Sequence, residues 1–297
     1  LPSTTREALL KKASKVRAKK RLGQNFLIEP SVLAKIVDSL NLSSEDIVLE
    51  IGPGLGFLTE VLLETGARVF AIELDREMVA HLQELKHPNL TVIHGDFLDF
   101  DISSIAPAAV AAGKKIKIVG NVPYQITTPI ISHVFGEIGE PSPWLPSVAS
   151  LTMTVQREVA LRLSAEPGNK TYGQLTLLSN YYSVCKMILS IGKEMFVPQP
   201  DVESAVVQMT TLVKPSVVTE NAEFLRKVIA GGFRERRKML RNNLAFTQLS
   251  QEMLGQIFED LKVAPSARAE NLPLTTFALL SDAIQEKRRH EQESKLV

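Results

Sequence analysis

A single cysteine, Cys185, occurs in 297 residues, so no intrachain disulfide can form. The five histidines, among them His81, His87 and His94, show no metal-site spacing with it or with each other. A chain so poor in cysteine fits a reducing compartment. No apolar run reaches the length of a bilayer span, and the start of the chain lacks the apolar core of a secretory signal. Residue 1 is Leu, not Met, so a trimmed, processed or renumbered terminus is expected. A net charge of only +1 gives no overall sign of a polyanionic partner.

The distribution of charge says more than its sum. Eight basic residues lie between Arg6 and Arg21 (Arg6, Lys11, Lys12, Lys15, Arg17, Lys19, Lys20, Arg21) against one acid, Glu7. A second cluster holds Arg234, Arg236, Arg237, Lys238 and Arg241. Solvated surface is the ordinary explanation for each; two in a nearly neutral chain point to a polyanion such as RNA. The first reads as a poorly ordered arm with some helical tendency, either RNA-binding or the remnant of an organellar transit segment. In the second, Arg234, Arg237, Lys238 and Arg241 recur at the spacing of one helical face.

Hydrophobic content of 44% allows one large or two ordinary domains. Val32, Leu33, Ile36, Val37 and Leu40 recur at helical spacing. Short apolar strands then alternate with helices: Ile47–Ile51, Arg68–Leu74, Leu90–His94, Lys115–Val122 and Ser150–Val155 as strands, with Phe57–Glu64, Arg76–Leu85 and Thr128–Phe135 among the helices. Alternation of this kind predicts an α/β fold with a mostly parallel sheet. Lys186–Ile191 and Ala205–Thr210 lack a helix between them, which predicts an antiparallel strand at that edge. The expected divisions are a basic arm at 1–22, an α/β domain at 23–213, a helical domain at 214–285 and a charged, disordered tail at 286–297.

Glu50-Ile51-Gly52-Pro53-Gly54-Leu55-Gly56 follows a strand and opens a helix, the arrangement in which backbone approaches a ligand closely. Glu73 ends the next strand, where a carboxylate binds ribose hydroxyls. Asp96 ends the third, where it can accept a hydrogen bond from an adenine amino group. S-adenosylmethionine has no pyrophosphate, so it suits a loop with Pro53 inside and Glu50 beside it better than a dinucleotide does. Asn121-Val122-Pro123-Tyr124 closes a further strand. The Asn121 side-chain oxygen and the Val122 carbonyl can each accept one N–H of a planar amino group, and Tyr124 can stack on the base. Methyl transfer to a nucleobase amino group is the chemistry these parts suit.

With Gly23-Gln24-Asn25-Phe26-Leu27 at the start and Phe196-Val197-Pro198-Gln199-Pro200-Asp201-Val202-Glu203-Ser204 near the end of the sheet region, the ordered motifs resemble the small-subunit ribosomal RNA adenine N6-dimethyltransferases, the dimethyladenosine transferases of bacterial or organellar type. The resemblance covers roughly residues 20–285. It implies a Rossmann-like methyltransferase sheet with a smaller all-α C-terminal domain. It implies S-adenosyl-L-methionine as cofactor, and dimethylation at N6 of two adjacent adenosines near the 3′ end of small-subunit rRNA. By position it assigns Asn25, Leu27, Gly52, Glu73, Asp96 and Asn121 to the cofactor and Asn121, Tyr124 and Phe196 to the catalytic pocket, the two rings sandwiching the adenine. Arg234, Arg237, Lys238 and Arg241 are the expected RNA contacts. The implied partner is rRNA within a pre-ribosomal particle, with no membrane, no metal, a monomeric protein and a cytoplasmic site of action, or a plastid or mitochondrial one if the start is a processed transit segment. The competing readings are a large-subunit rRNA adenine methyltransferase, a non-catalytic ribosome-assembly or transcription factor on the same fold and, more distantly, a dehydrogenase.

Overall fold

The computed structural model describes residues 5–16, 18, 19 and 22–296, with side chains described to residue 293. Arg17, Lys20 and Arg21 of the basic arm lie outside the described residues. In chain order the elements are α1 (Arg6–Ser14), β1 (Phe26–Leu27), α2 (Pro30–Leu40), β2 (Ile47–Ile51), α3 (Phe57–Glu64), β3 (Arg68–Glu73), α4 (Arg76–Gln83), β4 (Leu90–His94), α5 (Ala106–Ala111), β5 (Ile116–Asn121) and α6 (Thr127–Phe135). They continue with β6 (Gly136–Glu137), β7 (Glu140–Pro141), β8 (Val148–Gln156), α7 (Arg157–Leu163), α8 (Gln174–Tyr182), β9 (Ser183–Ile191), β10 (Phe196–Val197) and β11 (Ser204–Thr211). The last helices are α9 (Ala222–Gly232), α10 (Leu240–Asn243), α11 (Gln251–Asp260) and α12 (Leu274–Leu296).

The chain forms two compact units: residues 1–135, 142–160 and 185–211, and residues 136–141, 161–184 and 212–297. The sequence pattern cuts the chain once, at 213/214; compactness also places two earlier segments with the second unit.

The first unit is built on a seven-stranded sheet ordered β4-β3-β2-β5-β8-β11-β9. β2 to β5 and β8 run parallel, while β11 pairs antiparallel with β8, so an antiparallel strand does lie toward that edge. Val48, Leu49, Val69, Ala71, Ile116, Ile118, Val206 and Val207 are fully buried in it. Each buried Val, Leu or Ile side chain stabilises the sheet by about 1.5–3 kcal/mol. α2 covers it with the predicted stripe of Val32, Leu33, Ile36, Val37 and Leu40; Glu29 caps its start and left-handed Asn41 ends it. From β2 the chain winds outward to β3 and β4, and from β5 it winds the other way. The C-terminal ends of β2 and β5 therefore flank the switch point, where open α/β sheets bind ligands.

The helical tendency of the basic arm is realised as α1, which buries Leu9 and Ala13, while Arg6 pairs with Glu29 at 3.6 Å and Lys12 with Glu60 at 3.1 Å. Two expectations are corrected. The tail after Gln285 is not disordered, since α12 runs to Leu296. Arg289 pairs with Glu220 at 2.9 Å and Arg288 lies over the Phe224 ring, which docks its charged face. The second basic cluster is not one helical stripe. α9 ends at Gly232, residues 234–238 form turns, and only Arg241 is helical, in α10. Arg236 holds that turn by donating to the Lys170 and Tyr172 carbonyls at 2.7 and 2.9 Å.

Gly120 shows how tightly the sheet closes beneath the switch point. A Cβ there would stand 2.7 Å from the Ile51 carbonyl oxygen and 2.9 Å from Val122 Cγ1. Gly120→Ala is expected to destabilise the protein by about 1–3 kcal/mol, read as a lower urea midpoint at unchanged m-value; an unchanged midpoint would contradict this packing.

Candidate functional site

The glycine loop leaves β2 through three left-handed residues, Gly52, Gly54 and Gly56, with φ of 60°, 56° and 77°. Side chains there would be strained, and Gly56 then caps α3. Outside the loop lies a cavity of about 410 Å³, within the range of small-molecule sites. Its walls carry the loop, Gly23–Leu27, Glu73, Leu74, Asp96 and Asn121–Ile126. Among the described residues the lining has three carboxyl side chains, Glu50, Glu73 and Asp96, and no lysine, arginine or histidine. That acceptor set fits a cofactor carrying positive charge and hydroxyls, such as S-adenosylmethionine. It is unsuited to the pyrophosphate of a dinucleotide.

Glu73 is 6% exposed. Its two oxygens accept the Gly54 and Asp75 backbone N–H groups at 2.9 and 2.8 Å, so the carboxylate is aimed before any ligand arrives. Burial raises its pKa, against these two hydrogen bonds. Asp75 is in turn tied to the arm: Lys19 Nζ reaches it at 2.7 Å and Gln24 Nε2 donates to it at 3.1 Å. The Lys19 backbone N–H donates to Gln24 Oε1 at 2.8 Å. The opening motif is thereby strapped to the corner that holds Glu73. Asp96 sits at the exposed rim with one oxygen accepting the Leu98 N–H.

Asn121 ends β5. Its Nδ2 donates to the Asn25 carbonyl at 2.8 Å, which fixes the amide and leaves Oδ1 as an acceptor. Gly23, left-handed at φ 61°, lies so close to the next turn that a Cβ would stand 3.0 Å from Pro123 Cβ. Tyr124 is half-buried and shares a 2.5 Å hydrogen bond with the fully buried Ser204 hydroxyl. The opening motif, the Asn121–Tyr124 turn and the Phe196–Ser204 signature thus meet at one place, joined also by the antiparallel pairing of β1 with β10.

Asn25, Leu27, Gly52, Glu73, Asp96, Asn121 and Tyr124 all line the cavity. Phe196 does not. Paired with Leu27 across β1 and β10, it is 1% exposed and belongs to the core cluster of Phe26, Leu27 and Leu33.

Three residues outside the predicted set also bear on the site. Leu74, 49% exposed, offers an apolar surface at the cavity; a leucine between two acids at a strand end was the available signal. Ser204 was visible as a signature residue without a task. Glu50, read only as a neighbour of the loop, is 1% exposed and lines the cavity, accepting from the Thr59 hydroxyl at 2.6 Å. Burial, with the nearby charge of Glu73, pushes its pKa up to about 8.

The protein folds with Glu50 neutral below that value, whereas an unfolded carboxyl ionises near 4.5. Folding thus takes up a proton between these two values, and stability falls as pH rises through the window. Glu50→Gln is expected to melt close to the parent at pH 4.5 and several degrees above it at pH 8.5; an equal offset at both would contradict a neutral buried Glu50. Ser204→Ala removes the partner of the Tyr124 hydroxyl, worth about 1 kcal/mol. The expected result is roughly a five-fold lower kcat with the cofactor Kd unchanged, and a parental kcat would show that this hydrogen bond does not position Tyr124.

The family model described as ribosomal RNA adenine dimethylase matches residues 15–286. Ribosomal RNA small subunit methyltransferase A of Clostridium botulinum (strain Langeland) is 39% identical over 267 residues, 89% of this chain and 93% of its own length. The protein of the same name from Geobacillus sp. (strain WCH70) is 36% identical over 290 residues, 96% and 97% of the two chains. Among solved structures, the 23S rRNA methyltransferase ErmE matches with a TM-score of 0.69 at 21% identity, over 88% of this chain and 99% of its own. A dimethyladenosine transferase from Plasmodium falciparum matches with a TM-score of 0.68 at 23% identity, over 85% and 94%. At such identities these two likenesses concern the fold, a Rossmann-like methyltransferase sheet with a helical C-terminal part. The length and identity of the sequence matches establish that the chain belongs to the ribosomal RNA adenine dimethylase family.

Proposed function

We propose that this member of the family, an S-adenosylmethionine-dependent rRNA adenine dimethyltransferase, methylates N6 of two adjacent adenosines near the 3′ end of small-subunit rRNA. The substrate is rRNA in an immature small subunit, and the protein acts as a monomer in a bacterial-type cytoplasm. Residues 23–213 carry the chemistry and 214–285 the RNA contacts. The small-subunit assignment is supported by relatives that bear that name at 36–39% identity over nearly their whole length.

The observation that carries the chemistry is the fixed amide of Asn121 on the same cavity as the acid set. S-adenosylmethionine, when bound, supplies an electrophilic methyl group. Glu73 takes the ribose hydroxyls and Asp96 the adenine amino group, while Leu74 packs on the cofactor's apolar surface. The target adenine's N6 is a poor nucleophile because its lone pair is delocalised into the ring. Asn121 Oδ1 and the Val122 carbonyl accept its N–H groups and favour a more pyramidal nitrogen, whose lone pair is then directed outward. Tyr124, anchored through Ser204, holds the extruded base by stacking. Positioning and electrostatic complementarity supply the acceleration. No strong base is needed, because the amino proton becomes acidic once the methyl group has transferred.

The test is incubation with labelled S-adenosylmethionine and undermethylated small ribosomal subunits, followed by mass-spectrometric mapping. Two adjacent N6,N6-dimethyladenosines near the 3′ end are expected; label only in large-subunit RNA would move the assignment there. Asn121→Ala is expected to lower methyl transfer by about 10²-fold or more while cofactor affinity changes only a few-fold. Full transfer by that variant would remove Asn121 from the mechanism.

A further inference from the structure

Phe246 lies in a short helical turn, Leu244–Thr247, in the second unit. Leu244 and Thr247 are fully buried and anchor the turn, yet Phe246 is 44% exposed. Its ring rests on the backbone of α9 at Gly231, so closely that any side chain there would collide with Cε1, Cδ1 and Cζ. The glycine seats the ring and the buried neighbours hold it, leaving its other surface to solvent. Asn243 ties this turn to the basic segment: its Nδ2 donates to the Gly232 carbonyl at 2.7 Å and the Glu235 carbonyl at 3.1 Å.

The five cations of that segment are not equivalent. Arg236 is spent on two carbonyls and on Glu270 at 3.0 Å. Lys238 pairs with Glu235 at 2.9 Å. Arg234 and Arg237 are exposed and, among the described residues, have no ion-pair or hydrogen-bond partner through their side chains. Arg241 has a buried Nε with no hydrogen-bond partner. Exposed Met239 lies between them in the chain. An isolated exposed phenylalanine is ordinary surface. A ring seated on glycine, in a turn bonded to the segment that carries unneutralised arginines, has the composition of a single-strand contact, an aromatic face for a base with cations for phosphates.

We propose that Phe246 stacks on an unpaired nucleobase of the RNA while Arg234, Arg237 and Arg241 hold adjoining phosphates. This rests on the rRNA reading above and deepens it: the second unit grips a bulged or looped nucleotide rather than only a duplex backbone. Lys238, expected from sequence among the contacts, contributes less because Glu235 neutralises it.

Binding of the full-length chain to undermethylated small ribosomal subunits, measured across a salt series, tests this. Phe246→Leu keeps apolar bulk on Gly231 and removes the π face. It is expected to bind about ten-fold more weakly, with the salt slope unchanged. Phe246→Trp is expected to bind at least as tightly as the parent, and it serves if the leucine variant melts early. Arg237→Ala is expected to reduce the salt slope by about one, Lys238→Ala by clearly less. Parental affinity in Phe246→Leu, or ten-fold weakening in Phe246→Trp, would overturn the stack. If the parent methylates subunits while Phe246→Leu binds normally, only this inference falls; if the parent neither binds nor methylates them, the substrate assignment falls with it.

Discussion

The carboxylate of Glu73 is the fixed point of the site. It ends β3 beside the switch point, and its two oxygens take the N–H groups of Gly54 and Asp75. One bond holds the glycine loop in its left-handed turn, and the other sets the residue that caps α4. Asp75 extends the same network to Lys19 and Gln24, which straps the opening motif over the cavity. A carboxylate held by backbone donors on two elements cannot easily turn away. Glu73 is therefore preorganised by the loop it also stabilises.

That arrangement concentrates negative charge. Glu50 lies deep beside the loop, where burial and the nearby charge of Glu73 disfavour its ionisation. A ligand bringing positive charge relieves this tension, while one bringing phosphate increases it. The same fold in a dinucleotide enzyme turns backbone N–H groups toward an anion. Here Gly54 has committed its N–H to a carboxylate. Cofactor class thus follows from which groups the glycine loop has already satisfied, rather than from the glycines themselves.

Local features were readable from sequence. β2, the glycine loop and α3 follow one another without interruption, so apolar runs and left-handed glycines disclosed them. Glu73 and Asn121 each end a parallel strand and Asp96 follows one by two residues, and the fold brings such ends to one edge. Contacts between distant segments were not readable. Ser204 meets Tyr124 across 80 positions, and no periodicity links them. Phe196 matches a motif but is drawn into the core by its pairing with Leu27. Arg234–Arg241 has helical spacing, yet α9 stops at its paired glycines and Arg236 bonds carbonyls elsewhere in its unit. α1 looked like a charged arm because it buries only Leu9 and Ala13, while acids on other segments pair with Arg6 and Lys12.

Whether one cavity orients a sulfonium cofactor toward Asn121 is decided by a crystal structure of the protein with S-adenosylmethionine bound. Ribose hydroxyls on Glu73, the adenine amino group near Asp96 and the methyl group directed at the Asn121 side chain are the expected arrangement. A cofactor bound elsewhere, or turned so that its adenine occupies the Asn121–Tyr124 turn, would contradict it.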